Sequence, residues 1–272
     1  MTPNRESCCG VMSLQDSQTI LKYQGTSLLP CALRTLGIMK IALLADIHAN
    51  FAALRAFPET YDELWVLGDL VNFGPKPGEV IDWVRTHSHC VVRGNHDQAV
   101  GYDTDPRCIP AYQAMAKETG DYSSSVLTES QRQYLRLLPL SADRTLSGTR
   151  FHLCHATPSD PLFGYLQQDS SVWEAEAAST RADVVIVGHT HVPFLRSIGK
   201  KHLVNPGSLA GLKVTSPQAS YATWEDGHFH LKRYSYPFEE TVAEIEAMPI
   251  SAAVQEQLCE LITIGNLTGG RI

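Results

Sequence analysis

The sequence predicts an α/β protein built from two packed β-sheets with helices outside. Three observations lead there. Short apolar runs such as "KIALLAD" at 40–46 have the length and texture of strands covered on both faces. In the first half of the chain such runs alternate with helical patterns, as in parallel βαβ units. In the second half strands follow one another with little helix between them, which calls for a second sheet packed on the first.

The elements follow in order. After the first strand at 40–46, Asn50 is placed to cap a short helix through Ala53 and Leu54, stopped near Pro58. "ELWVLGD" at 63–69 is a second strand. Pro77 opens a helix whose apolar face is Val80, Ile81 and Val84. "HCVVRGNHD" at 89–97 reads as a third strand. Residues 101–140 are mainly helical, with Thr128 and Gln131 as a capping box and Tyr134, Leu135 and Leu138 as the stripe before Pro139. Strands then dominate: "TRFHLCHA" from 149, "ADVVIVGH" from 182, "KHLVNPGS" from 201, and a hairpin within 220–236 turning at Asp226-Gly227. Helical stretches at 238–248 and, more weakly, 251–262 close the chain.

With 272 residues, 43% apolar and 19% charged, the chain has the composition of a soluble globular protein with a sizeable core. Its formal charge of −7 argues against a broad nucleic-acid surface. An anionic substrate remains compatible, because a bound metal reverses the local potential. The seven cysteines, Cys8, Cys9, Cys31, Cys90, Cys108, Cys154 and Cys259, form no CxxC pair and match neither a zinc ribbon nor a disulfide scaffold. A reducing, cytoplasmic compartment fits them. No run of about 18 apolar residues indicates a membrane span. Residues 1–38 are polar and irregular and read as a flexible extension, with Met39 as a second natural start.

Polar groups recur where apolar strands stop. Asp46 and His48 follow the first, Asp69 the second, Gly94-Asn95-His96-Asp97 the third, His155 the fourth, and His189 with His191 the fifth. Open α/β sheets bind ligands beyond the carboxyl ends of their strands, so five such ends can converge on one crevice. Residues i and i+2 of a strand share a face, which would let Asp46 act with His48 and His189 with His191. Carboxylate, imidazole and amide oxygen suit Mn²⁺, Fe or Zn²⁺ rather than a thiolate site. A lone histidine at a strand end is more often structural, and a lone Gly-Asp is usually a turn. The ordered set of five is hard to obtain from turns alone.

The series DIH, GD, GNHD, H, GHTH resembles the calcineurin-like metallophosphoesterase superfamily over roughly residues 39–236. Within it, the closer resemblance is to the small bacterial phosphodiesterase-type members, in which GDLV leads into GP and the chain continues to NPGS. The resemblance implies a four-layer αββα sandwich of two mixed sheets flanked by helices, spanning 39–248, with 101–140 as a helical excursion near the active site and 249–272 as a tail. It implies two divalent ions, Mn²⁺ by preference with Fe, Zn²⁺ and Ni²⁺ as alternatives. Asp46, His48, Asp69 and His191 would hold one; Asp69, Asn95, His155 and His189 would hold the other, with Asp69 bridging. Two cations roughly 3.5–4 Å apart neutralise a phosphate ester and acidify a shared, bridging water to hydroxide. By the same resemblance His96 is a catalytic acid or transition-state stabiliser rather than a ligand. Asn95 and Arg93 are candidate substrate contacts. Asp97 either orients this region or ends its turn, the turn being preferred.

Departures narrow the substrate. Protein phosphatases of the superfamily carry GDxVDRG, whereas here "GDLVNFG" puts Asn72 and Phe73 in place of Asp and Arg. Phe73 either lines a pocket or is core. Lys213 sits near where relatives often show an arginine after NPGS, and Tyr102, Arg107 and Tyr112 are possible substrate contacts. His87, His89, His152, His202, His228 and His230 fall outside the motif and read as solvent-facing. The leading function is hydrolysis of phosphodiesters or small phosphomonoesters. Its alternatives are a non-catalytic protein-binding scaffold of the same fold and a protein phosphatase; a DNA nuclease is disfavoured by the charge.

Overall fold

The computed structural model describes residues 39–212 and 217–265. The expectations for residues 1–38, for Cys8, Cys9 and Cys31, and for Lys213 lie outside these. The chain runs β1 (Lys40–Leu44), α1 (Phe51–Arg55), β2 (Glu63–Val66), α2 (Pro77–His87), β3 (Cys90–Val91), α3 (Asn95–Tyr102), α4 (Pro110–Val126) and α5 (Glu129–Leu137). It continues with β4 (Ser141–Leu146), β5 (Thr149–Cys154), α6 (Val172–Ala178), β6 (Val184–Ile186), β7 (Phe194–Ile198) and β8 (Lys201–Asn205). It ends with β9 (Gln218–Glu225), β10 (His228–Ser235), α7 (Phe238–Glu246) and α8 (Ala252–Ile264).

Two mixed five-stranded sheets result, in the orders β10-β9-β1-β2-β3 and β4-β5-β6-β8-β7. Strands β1, β2 and β3 are mutually parallel, as are β5, β6 and β8, and antiparallel strands complete both sheets. Period-2 alternation explains the layering. Ile41 and Leu43 face the second sheet, where they join Trp65, Phe151, Leu153, Val184 and Ile186 in one core. Ala42 and Leu44 point the other way, into a core shared with Leu54, Val80, Ile81, Val84 and Leu135 from α1, α2 and α5. On the far side of the second sheet, Cys154, Val185 and Leu203 pack on Trp173 of α6. Helix, sheet, sheet and helix thus form the expected sandwich.

Local signals explain several boundaries. The Asn50 side chain accepts from Ala53 N, Thr128 and Gln131 cap α5 reciprocally, and Pro77 starts α2. Asp226 and Gly227 both have positive φ, as a two-residue hairpin requires. Three expectations change. Strand β3 is only two residues long, and "NHD" opens helix α3 with Gly94 as its N-cap. Two strands, β4 and β7, were not anticipated; each is an edge strand with mixed or exposed residues and so lacks an apolar run. The segment after 248, expected as a tail, contains α8, whose Leu258, Leu261 and Ile262 are buried with Ile245 and Met115.

Glu59, in the loop between α1 and β2, ties that loop to the first sheet. It lies 2.5 Å from both Lys40 and Lys232 and accepts from Tyr221 Oη at 2.9 Å. Burial works against its charge, but hydrogen bonds from Lys232, Lys40 and Tyr221 win and pull its pKa from 4.5 down to about 2. The folded value lies below the unfolded one, so this stabilisation is complete above pH 4.5 and is lost as pH falls towards 2. Glu59→Gln is expected to destabilise the protein by on the order of 2 kcal/mol at neutral pH, with the difference from wild type closing by pH 2 in urea titrations.

Candidate metal centre

The site is built where the parallel strands stop. The loop after β1 carries Asp46 and His48, that after β2 carries Asp69, the first turn of α3 carries Asn95 and His96, His155 follows β5, and His189 and His191 follow β6. The sequence suggested that strand alternation pairs Asp46 with His48 and His189 with His191, but all four lie beyond the ends of their strands. Asp46, His48, Ala49, Asp69, Asn72, Phe73, His189 and His191 all have positive φ, eight of the twelve such non-glycine residues described. Asp, Asn and His tolerate this left-handed region better than most residues. The chain turns sharply at each strand end, and the side chains are aimed by loop geometry.

Backbone hydrogen bonds hold these loops together. Asp46 N donates to Gly68 O, His48 N to Asp69 O and Ala49 N to Leu70 O, so the first two loops run on as a pair past their strands. The second and third loops touch through glycines. A Cβ on Gly68 would lie 2.5 Å from Gly94 N, and one on Gly94 would overlap Asp69 Oδ1. Between the sheets, His189 N donates to Asp46 Oδ1 at 3.1 Å.

Second nitrogens and amides fix each donor. His48 Nδ1 and His155 Nδ1 bond the carbonyls of Val71 (3.1 Å) and Leu67 (2.7 Å), which turns both Nε2 atoms inward. Asn95 Nδ2 donates to Pro106 O at 2.8 Å, leaving Oδ1 at 3.0 Å from His155 Nε2. Asp69 Oδ1 accepts from His96 N at 2.9 Å. Asp69 Oδ2 lies 3.2 Å from His155 Nε2 and 3.8 Å from His48 Nε2. His48 Nε2 and His191 Nε2 are 3.1 Å apart, and His155 Nε2 and His189 Nδ1 are 3.2 Å apart.

Two groups of ligand-type atoms emerge: Asp46, His48, Asp69 and His191, and Asp69, His155 and His189. Within each group the atoms lie within 4.8 Å of one another, and Asp69 belongs to both. Donors about 2.1 Å from one ion and at right angles lie about 3 Å apart, so the nitrogen–nitrogen spacings fit shared coordination. Asn95 Oδ1 extends the second group.

Electrostatics point the same way. Burial lowers His48 to about 3, so it is a neutral imidazole able to ligate. Burial also opposes charge on His155, but the adjacent Asp69 carboxylate raises its pKa to about 9. Burial likewise opposes charge on Asp69, yet His155 and the other imidazoles hold it well below the usual carboxylate range. Asp69 is thus an anion at the centre of a buried imidazole cluster.

Other predicted residues fall elsewhere. Arg93 donates to Arg136 O at 2.9 Å and Tyr102 Oη at 3.1 Å, and neither Arg93 nor Tyr102 is among the residues lining the cavity beside the cluster. Arg107 and Tyr112 do line the cavity beside the cluster. Phe73 is both core and cavity wall, with its ring edge-on to His48 at 5.0 Å and tilted on His96 at 4.9 Å. Of the six other histidines, His87, His89, His202, His228 and His230 are exposed and His152 pairs with Asp143.

Three supporting residues were missed or undervalued. Asn72 Nδ2 donates to His96 Nδ1 at 2.9 Å. Asn205 Nδ2 donates to Gly188 O at 2.7 Å and braces the histidine loop. Asp97 does more than end a turn. Fully buried, it accepts from Asp69 N (2.9 Å), Leu70 N (2.8 Å) and Gly94 N (3.0 Å), and joins the second loop to the third. The signal was a polar residue directly after an apolar run for Asn72 and Asn205, and a place in the polar GNHD stretch for Asp97; sequence alone could not separate these from turns.

Residues 39–226 match the calcineurin-like phosphoesterase superfamily domain. The chain belongs to this superfamily. It is similar to an uncharacterized protein of Methanocaldococcus jannaschii, 27% identical over 75% of this chain and 91% of that one. It is also similar to phosphodiesterase YfcE of Escherichia coli, 28% identical over 68% of this chain and 86% of that one. In fold it is similar to a metallophosphoesterase from Sphaerobacter thermophilus, with a TM-score of 0.69, 24% identity, and coverage of 82% of this chain and 98% of that one. The loops this phosphoesterase-superfamily chain needs at its strand ends depend on Asp97. Asn cannot accept all three N–H donors, so Asp97→Asn is expected to lower unfolding stability by about 1–3 kcal/mol, read by chemical denaturation in the absence of added metal.

Proposed function

We propose that the protein is a metal-dependent phosphoesterase that hydrolyses phosphodiesters or small phosphomonoesters using two divalent cations. The carrying observation is the pair of convergent donor groups sharing the Asp69 carboxylate, one oxygen of which is held by His96 N while the other faces His48 and His155. Asp46, His48, Asp69 and His191 would hold one cation; Asp69, Asn95, His155 and His189 would hold the second. The imidazole, carboxylate and amide donor set suits Mn²⁺, with Fe, Zn²⁺ and Ni²⁺ as alternatives. Bound there, the cations supply Lewis acidity towards the phosphoryl oxygens and acidify a water for attack.

The chain's own groups do the rest. Asp69 fixes the spacing of the two donor sets. His96 is largely buried at the cluster and its pKa is lowered by burial, so it is neutral at pH 7. Because Asn72 donates to Nδ1, the His96 proton sits on Nε2. That N–H is suited to stabilise a phosphoryl oxygen or to protonate the departing ester oxygen. Asn72 is a positioning residue that sets this tautomer.

Purified protein with Mn²⁺ is expected to hydrolyse bis-p-nitrophenyl phosphate or p-nitrophenyl phosphate. Asp69→Asn should lose metal in equilibrium dialysis and lose turnover with it. His96→Ala should keep its metal while kcat falls on the order of 10²- to 10⁴-fold, and Asn72→Leu should lower kcat with little change in metal content or KM. Metal-loaded wild type inert towards both ester classes contradicts the proposal, and wild-type kcat in His96→Ala removes the role of that residue.

A further inference from the structure

Beside the ligand cluster lies a small cleft of about 100 Å³, open at its mouth. Asp69, Asn95, His96, His189 and His191 line one side of it. The remaining surface is unusual for a site that handles a charged ester. Phe73, Leu212 and Leu261 are buried in its wall, half-buried Tyr112 stands next to them, and Ile109 and Tyr165 are 48% and 46% exposed at its mouth. Exposed large apolar side chains opening onto a concave site mark binding surfaces.

The wall is aromatic where it meets the cluster. Phe73 packs on His48 and His96, Tyr112 lies at 6.3 Å and 78° to Phe73, and Tyr165 stands edge-on to His189 at 5.5 Å. Arg107 is the one permanent cation among the described residues lining the cleft, and its guanidinium lies 4.2 Å from the centre of the Phe163 ring. A second phosphate, or a polyphosphate, would therefore meet little positive charge here. A flat apolar group would meet carbon on several sides and displace water from it.

We propose that this apolar wall of Phe73, Ile109, Tyr112, Leu212 and Leu261 is a subsite for an aromatic ring carried by the phosphoryl group of the substrate, an aryl or nucleobase substituent. The inference rests on the phosphoesterase reading, since it needs the phosphoryl group seated at the ligand cluster. It assigns α4 and α8 a role in substrate choice: Tyr112 lies in α4, Leu261 in α8, and Ile109 is the N-cap of α4.

The test compares non-hydrolysable anions of equal charge. Phenylphosphonate, methylphosphonate and inorganic phosphate are titrated into Mn²⁺-loaded protein by calorimetry. Phenylphosphonate is expected to bind on the order of 10- to 100-fold more tightly than methylphosphonate, the gain from burying one ring. Ile109→Ser and Tyr112→Ala, both at accessible positions, should each shrink that ratio several-fold. Equal affinity for the two phosphonates, or a ratio unmoved in both variants, overturns the subsite while leaving the phosphoesterase reading standing. Failure of all three anions to bind metal-loaded protein points instead to failure of that reading and takes the subsite with it.

Discussion

The centre depends on one buried carboxylate. Asp69 sits between two groups of imidazoles, and each of its oxygens has a different job. Oδ1 is pinned by the first turn of α3, while Oδ2 is left facing His48 and His155. An uncompensated carboxylate at this depth would cost several kcal/mol. Positive charge has to come to it, either as a proton on His155 or as cations held by the surrounding donors. The raised pKa of His155 is the first solution, and the convergence of neutral His48 with His191 and Asp46 is arranged for the second.

Much of the fold serves to keep that carboxylate in place. Parallel strands in both sheets deliver their carboxyl ends to the same edge of the sandwich, and Asp97 clamps the backbone of Asp69 from the third loop. The contact between Gly68 and Gly94 brings two loops closer than any side chain would allow. Left-handed residues are clustered in the same loops. Each costs on the order of 1 kcal/mol, and the apolar cores that flank both sheets offset that strain. Rigid loops on a rigid scaffold hold donor atoms near coordination distance in the protein itself.

Much of this was legible in the sequence. Apolar runs located β1, β2, β5, β6 and β8, and cap chemistry located α1, α2 and α5, because these signals are local. The ordered appearance of Asp46, His48, Asp69, Asn95, His155, His189 and His191 after those runs identified the residues that the structure gathers. The geometry that gathers them was not legible. Spacing by two suggested strand faces, whereas His189 and His191 are themselves left-handed, a conformation that periodicity does not encode. Edge strands β4 and β7 were invisible because exposed residues carry no apolar pattern. Asp97 and Asn72 were undervalued for a related reason. Their partners are the backbone of Asp69 and the ring of His96, reached across the fold, and only three dimensions separate a clamp from a turn.

The most direct measurement is a crystal of the protein grown with Mn²⁺ and recorded at the manganese absorption edge. Two anomalous peaks roughly 3.5–4 Å apart, flanking Asp69 Oδ2 with His191 on one and His155 on the other, is the predicted result. A single peak, or none at saturating Mn²⁺ with the imidazoles still gathered around Asp69, would contradict a paired-cation centre.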